Sequence, residues 1–199
     1  MIYYLAARRH PELGNRKLLN SSAKGLVTRI RVATYDDIFL KRSLPTGTYI
    51  FSDLDQLSPD ESERAEFMWQ ALSREVPVMR LLNRPVHSMR RYELLRKLYE
   101  VGVNDFNVYK LTESRQPERF PVFIRTENDH HGPITRLLQN QAQLDAAIEK
   151  LVSEGRSREN KIIVEYCDST DANGIHHRYG AFIIGDEIVP RSALFGKEW

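Results

Sequence analysis

The chain has 199 residues, 41% of them apolar and 28% charged, with 29 Lys and Arg against 27 Asp and Glu. This is globular composition, which excludes wholesale disorder, a collagen-like repeat and a disulfide scaffold, and the length holds one full core or two small ones. The single cysteine, Cys167, leaves no internal disulfide and no cysteine-based zinc site, and it points to a reducing, cytoplasmic setting.

In chain order, the apolar stretch Ile2 to Ala7 precedes Arg8 and Arg9, the reverse of a signal peptide. No window approaches the roughly 20 apolar residues of a bilayer span, so a soluble protein with no membrane partner is expected. Residues 1–50 carry nine Lys and Arg against three acids. Such a basic N-terminal face can greet phosphates of any kind, nucleic acid included, although a net charge of +2 is too small to argue for nucleic acid. The plainer reading is a solvated face balanced by acids elsewhere.

Ile2 to Ala6 reads as a short buried strand. From Asn20 to Val32, the residues Ala23, Leu26, Val27 and Ile30 fall at helical spacing and predict an amphipathic helix. Thr48 to Ser52 follows a Pro45-Thr46-Gly47 turn and predicts a strand. Ser58-Pro59-Asp60-Glu61 is a helix start, with Ser58 as cap and Glu61 reaching back; the helix runs to about Glu75, and Pro77 ends it. Val78 to Leu82 supplies another strand. Strands alternating with helices imply a mostly parallel sheet covered on both faces.

The second half has a different grammar. Ser88 to Val101 is helical, with Gly102 as its stop. Phe106 to Leu111 and Phe120 to Arg125 read as strands, and a polar loop follows from Thr126 to Thr135. A helix capped by Asn140 carries the stripe Leu144, Ile148 and Leu151 and stops at Gly155. Lys161 to Tyr166 is a strand, and Arg178 to Ile184 and Glu187 to Val189 form a hairpin around Gly185-Asp186. This half reads as an antiparallel sheet with one helix packed on it.

P-loop, dinucleotide-binding and nucleophile-elbow signatures are absent, and Cys167 has no partner His in sequence. The doublets His130-His131 and His176-His177 lack the i, i+4 spacing that puts two imidazoles on one metal, and they read as exposed loop histidines.

The stretch Phe120-Pro121-Val122-Phe123-Ile124-Arg125, the loop ending His131-Gly132-Pro133, the following helix, the strand and turn Ile162 to Asp168, and the hairpin Tyr179 to Pro190 resemble the nucleotide-binding subdomain of the ATP-grasp superfamily. D-alanine ligases show the same order of elements. The likeness covers about Ser88 to Pro190, and the preceding α/β unit is similar to the domain that usually sits ahead of an ATP-grasp domain.

The resemblance implies roles residue by residue. Arg125 would grip phosphate oxygens where the family usually has Lys, and Arg91 matches the family's other phosphate-contacting Lys. The loop from Glu127 to Pro133, with His131 and Gly132, would be the phosphate lid. Glu165 would accept from the exocyclic amine of adenine, the backbone of Tyr166, Cys167 and Asp168 would read the ring edge, and Asp171 would bind ribose hydroxyls. Each residue also has a bland reading, as an exposed Arg, a surface loop or an acid in a turn.

The expected fold is therefore an α/β N-terminal unit, residues 1–86, followed by an α+β ATP-grasp-like subdomain with an antiparallel sheet, residues 87–199. The implied cofactor is ATP. The family holds Mg2+ with later carboxylates and an E-x-N pair, which the sequence does not reach before Trp199, so the fold is expected to be incomplete and magnesium to need a further segment. The expected function is ATP binding in a carboxylate-amine ligase context, with carboxylate and amine substrates unspecified. A non-catalytic nucleotide-binding or assembly module is the alternative, and nucleic-acid binding through the N-terminal face comes third. An uncovered apolar face on the second half predicts a homo-oligomer.

Overall fold

The computed structural model describes residues 1–7, 25, 28–75, 79–113, 116–129 and 131–197. The chain divides into two compact units, Met1–Leu94 and Leu95–Trp199. Among the described residues no helix is long and apolar enough to cross a membrane.

In the first unit, β1 (Ile2–Ala6), β2 (Ile30–Thr34), β3 (Thr48–Phe51) and β4 (Arg80–Leu82) form a wholly parallel sheet in the order β2-β1-β3-β4. Helix α1 (Tyr35–Phe39) follows β2, and α2 (Pro59–Glu75) joins β3 to β4. The core sits between sheet and helices on Leu5, Tyr49, Phe51, Tyr35, Ala65 and Leu72. Ser58 closes a capping box at the start of α2: its hydroxyl accepts from the Glu61 N–H at 3.3 Å, and Glu61 accepts from the Ser58 N–H at 2.7 Å. Gly47 is dictated by a close approach, since a Cβ there would lie 2.6 Å from the Met1 carbonyl oxygen.

One expectation is corrected here. The helix read over Asn20 to Val32 does not reach its end, because Ile30–Thr34 is strand β2, paired in register with β1. Residues 20–24, 26 and 27 lie outside the described residues, as do Pro77 and Val78. Ile30 and Val32 are β-branched, and pairing with β1 overrides a spacing that fits either state.

In the second unit, α3 (Arg91–Glu100), which straddles the division, ends in a Schellman stop. Gly102 at φ +72° donates to the Tyr99 carbonyl and Val103 to that of Leu98. β5 (Val108–Lys110), β6 (Val122–Thr126) and β7 (Lys161–Glu165) form an antiparallel sheet in the order β5-β7-β6. Helix α4 (Gln141–Ser153) lays Leu144, Ile148 and Leu151 on Leu111, Val122, Ile124 and Ile163. It starts on the Asn140 side chain, which accepts from the Gln143 N–H at 3.1 Å.

β8 (His176–Ile184) and β9 (Glu187–Gly196) form a separate two-stranded ribbon rather than an extension of that sheet, a second correction. The turn is Gly185-Asp186 with Gly185 at φ +62°. β9 runs well past Val189, where the sequence reading ends it at a proline. Pro190 is accommodated because its missing N–H falls on the outer edge of the ribbon.

Candidate nucleotide-binding site

The three-stranded sheet has two chemically distinct faces. Tyr109, Ile163 and Ile124 are register partners and turn toward α4. On the other face Lys110 and Arg125 both pair with Ile162, one from each side, while Val108 and Phe123 both pair with Val164. Two cations thus stand on one sheet face, two strands and about 10 Å apart, beside an apolar row. Sequence reasoning missed Lys110. Its place opposite Arg125 follows only from the β5–β7 register, although the period-two alternation of Asn107-Val108-Tyr109-Lys110 holds the signal.

Arg125 reaches into the loop after β6. Its guanidinium donates to the carbonyl oxygens of Asp129 at 3.0 Å and His131 at 3.4 Å. The loop is tied at both ends: the Glu127 N–H donates to the Asn160 carbonyl at 2.8 Å, and Ile134 N–H to the Ile124 carbonyl at 2.7 Å. Inside it, Asp129 accepts from the His131 N–H at 2.7 Å. The His131 side chain is 92% exposed, and a Cβ at Gly132 would meet open space. Glu127, in contrast, is buried at the base of the loop, so it anchors the loop rather than covering anything. His130 lies outside the described residues.

Glu165 has a different part from the one the resemblance implies. It is 2% exposed, and its two oxygens accept from four protein donors: the N–H of Asn107 at 2.9 Å, the Tyr109 hydroxyl at 2.8 Å, and the Arg119 N–H and Nε, both at 3.2 Å. Four donors fill a carboxylate, which leaves no acceptor for an adenine amine. Glu165 is a buried node that ties β5, β7 and the segment before β6 together. Burial, followed by the hydrogen bond to Glu165, pushes the Tyr109 phenol up to about 12, against the N–H that Glu118 gives it.

Beyond Glu165, the Tyr166 N–H donates to the Pro121 carbonyl at 2.9 Å, so the first free edge of the turn begins at Cys167. Cys167 is exposed, and its thiol is pushed up by partial burial and then by Asp105. Asp168 accepts from the Thr170 hydroxyl and N–H, which hold it below the usual carboxylate range. Asp171 likewise is spent on its own loop: it accepts from the N–H groups of Ile175 and Asn173, both at 2.9 Å, and from His177 Nε2 at 3.2 Å. The histidine doublet at 176–177 is therefore part of a strand, not an exposed loop.

Arg125, His131 and Gly132 gather at one end of the sheet, over the base residue Glu127. Glu165 to Asp168 lie at the other end, three register steps or about 10 Å away, since Arg125 pairs with Ile162 and Val122 with Glu165. Arg91 opens α3 and belongs to the Met1–Leu94 unit. Among the described residues no group of three or more His, Cys, Asp or Glu side chains comes together as a cation site.

No protein-family model matches the chain, and no curated protein matches it. Solved structures similar to it include two of the same protein. One is D-alanine–D-alanine ligase from Bacillus anthracis complexed with ATP, with 12% identity over 98% of this chain and 70% of that one and a TM-score of 0.45. The other is the same organism's D-alanine–D-alanine ligase, with 11% identity, the same coverage and a TM-score of 0.42. The chain resembles D-alanine–D-alanine ligase.

Proposed function

We propose that the Leu95–Trp199 unit binds ATP as the nucleotide-binding part of an ATP-grasp carboxylate-amine ligase, and that the Met1–Leu94 unit fills the place of the α/β unit ahead of it. The observation that carries this reading is the shared face of Lys110 and Arg125 beside a loop tethered at both ends. A triphosphate brought to that face meets two cations, one from each strand flanking β7: Lys110 trades Glu113, to which its Nζ donates at 3.1 Å, and the Arg125 guanidinium trades loop carbonyls, for charge-assisted bonds to phosphate. The adenine end lies about 10 Å along the strands, where the backbone from Cys167 onward reads the ring edge in place of the Glu165 carboxylate. His131 and Gly132 sit on the exposed arc of the loop, which closes over the phosphates.

When bound, ATP supplies the phosphoryl group that converts a carboxylate to an acyl phosphate open to attack by an amine. The chain's own residues account for holding and orienting the nucleotide. Calorimetric titration tests the reading: ATP should bind at least tenfold more tightly than adenosine, because both cations see only the phosphates. Equal affinities, or no binding of either, would contradict it.

A further inference from the structure

The ribbon β8–β9 exposes large apolar side chains on both faces. Successive residues of a strand point to opposite sides, and Phe182, Ile183 and Ile184 are 52%, 79% and 65% exposed. A run that is apolar on both sides is the pattern of a strand inside a larger sheet, and an isolated two-stranded ribbon is marginal by itself.

The two edges of the ribbon differ. The two-residue turn closes on Ile184 and Glu187 as a hydrogen-bonded pair, so alternation makes Ala181↔Pro190 and Ile183↔Ile188 the pairs whose backbone groups point outward. The His177 N–H, on the same alternation, donates outward to the Ser169 carbonyl at 3.0 Å. On β9 the outward positions include Pro190, which has no N–H, so that edge is blunted there. On β8 the outward positions are Tyr179, Ala181 and Ile183. The bridge of Thr170 with His176 and the Ser169 contact of His177 cover the start of that edge, and among the described residues no strand pairs with it farther on. The open edge is Arg178 to Ile184, with Ala181 at its middle.

We infer that this edge pairs with the same edge of a second copy of the chain, antiparallel and two-fold about Ala181, to make a four-stranded sheet. The sequence is self-complementary in that register. Gly180 comes opposite Phe182 of the second copy, an aromatic ring covering a glycine, and Tyr179 comes opposite Ile183. Arg178 shares a face with Glu187 of the second copy, with only Ile184 between them, and symmetry makes the charge pair twice. No like charges stand opposite each other. The contact is isologous and closes as a dimer. Seven residues a side is a small interface, below the roughly 800 Å² per partner of a standard one, so the dimer is weak and concentration-dependent.

Sedimentation velocity over a dilution series tests this on the intact chain. Wild type should shift from monomer toward dimer as concentration rises. Ala181→Pro removes one outward N–H without touching the β8–β9 ladder, and Ile183→Lys places a charge on the open edge; both should lose the dimer while far-UV circular dichroism stays unchanged. Leu40→Lys, at an exposed leucine of the other unit, should associate like wild type. If Ala181→Pro perturbs the ribbon, Ile183→Lys decides alone. A wild type that stays monomeric at every concentration, an Ile183→Lys dimer as strong as wild type, or association lost in Leu40→Lys would each overturn the proposal.

Discussion

Arg119 holds Glu165 twice: its backbone N–H meets one carboxylate oxygen and its Nε the other, both at 3.2 Å. The pair is lopsided, with the Arg119 side chain 45% exposed and that of Glu165 2%. Arg119 can turn to water when its partner is lost, but Asn107 and Tyr109 keep buried donors aimed at an empty place. Glu165→Ala should therefore destabilise the fold by about 3 to 5 kcal/mol, and Glu165→Gln by about 1 to 3 kcal/mol. Urea unfolding checks both. A Glu165→Ala protein as stable as wild type would show that the network contributes nothing.

The same residue marks where sequence reading stops. An acid ending an apolar strand looks like a surface residue or a ligand contact, and its real partner Arg119 lies 46 positions away. Local chemistry was legible: the capping box of Ser58 and Glu61, the Asn140 cap and the glycine stops at 102 and 155 all depend on residues within a few positions. Nonlocal pairing was not. β2 carries a spacing that fits helix or strand until β1 lies beside it, and Lys110 joins Arg125 only through the register both share with Ile162.

Gly47→Ala places a methyl 2.6 Å from the Met1 carbonyl oxygen and 2.9 Å from the Tyr3 ring. The same carbonyl accepts from the Thr48 N–H at 3.0 Å, so the start of β3 must shift away from β1. The expected cost is about 1 to 3 kcal/mol of stability, an overpacking effect, read by thermal or urea unfolding. A neutral substitution would mean that the β1–β3 contact yields easily.

Asp171 governs the acid behaviour of the loop that opens β8. The Ile175 N–H first, then the Asn173 N–H and His177, hold its carboxyl below the ordinary 3.8, against a smaller opposing push from burial. A depressed folded value means that the loop's stabilisation is present above pH 3.8 and is lost as pH falls through the folded value. Amide chemical shifts of Asn173 and Ile175 should therefore hold steady from neutral pH down to about 4 and move together below it. Movement centred well above pH 4 would contradict this assignment.

Asn140→Ala removes the acceptor for the Gln143 N–H and should cost about 1 kcal/mol. Asn140→Ser should retain most of it, because a hydroxyl caps nearly as well. Equilibrium unfolding of the two variants makes the comparison, and equal losses would show that the cap is not the reason for the effect.

The central claim is that the sheet face holding Lys110 and Arg125 receives phosphate. Its most direct test is titration of Lys110→Ala and Arg125→Ala with ATP and with adenosine. Each variant should lose roughly ten- to a hundredfold in ATP affinity, the worth of a charge-assisted hydrogen bond, while adenosine affinity stays at the wild-type value. Full ATP affinity in both variants, or an equal loss for ATP and adenosine, would contradict the account.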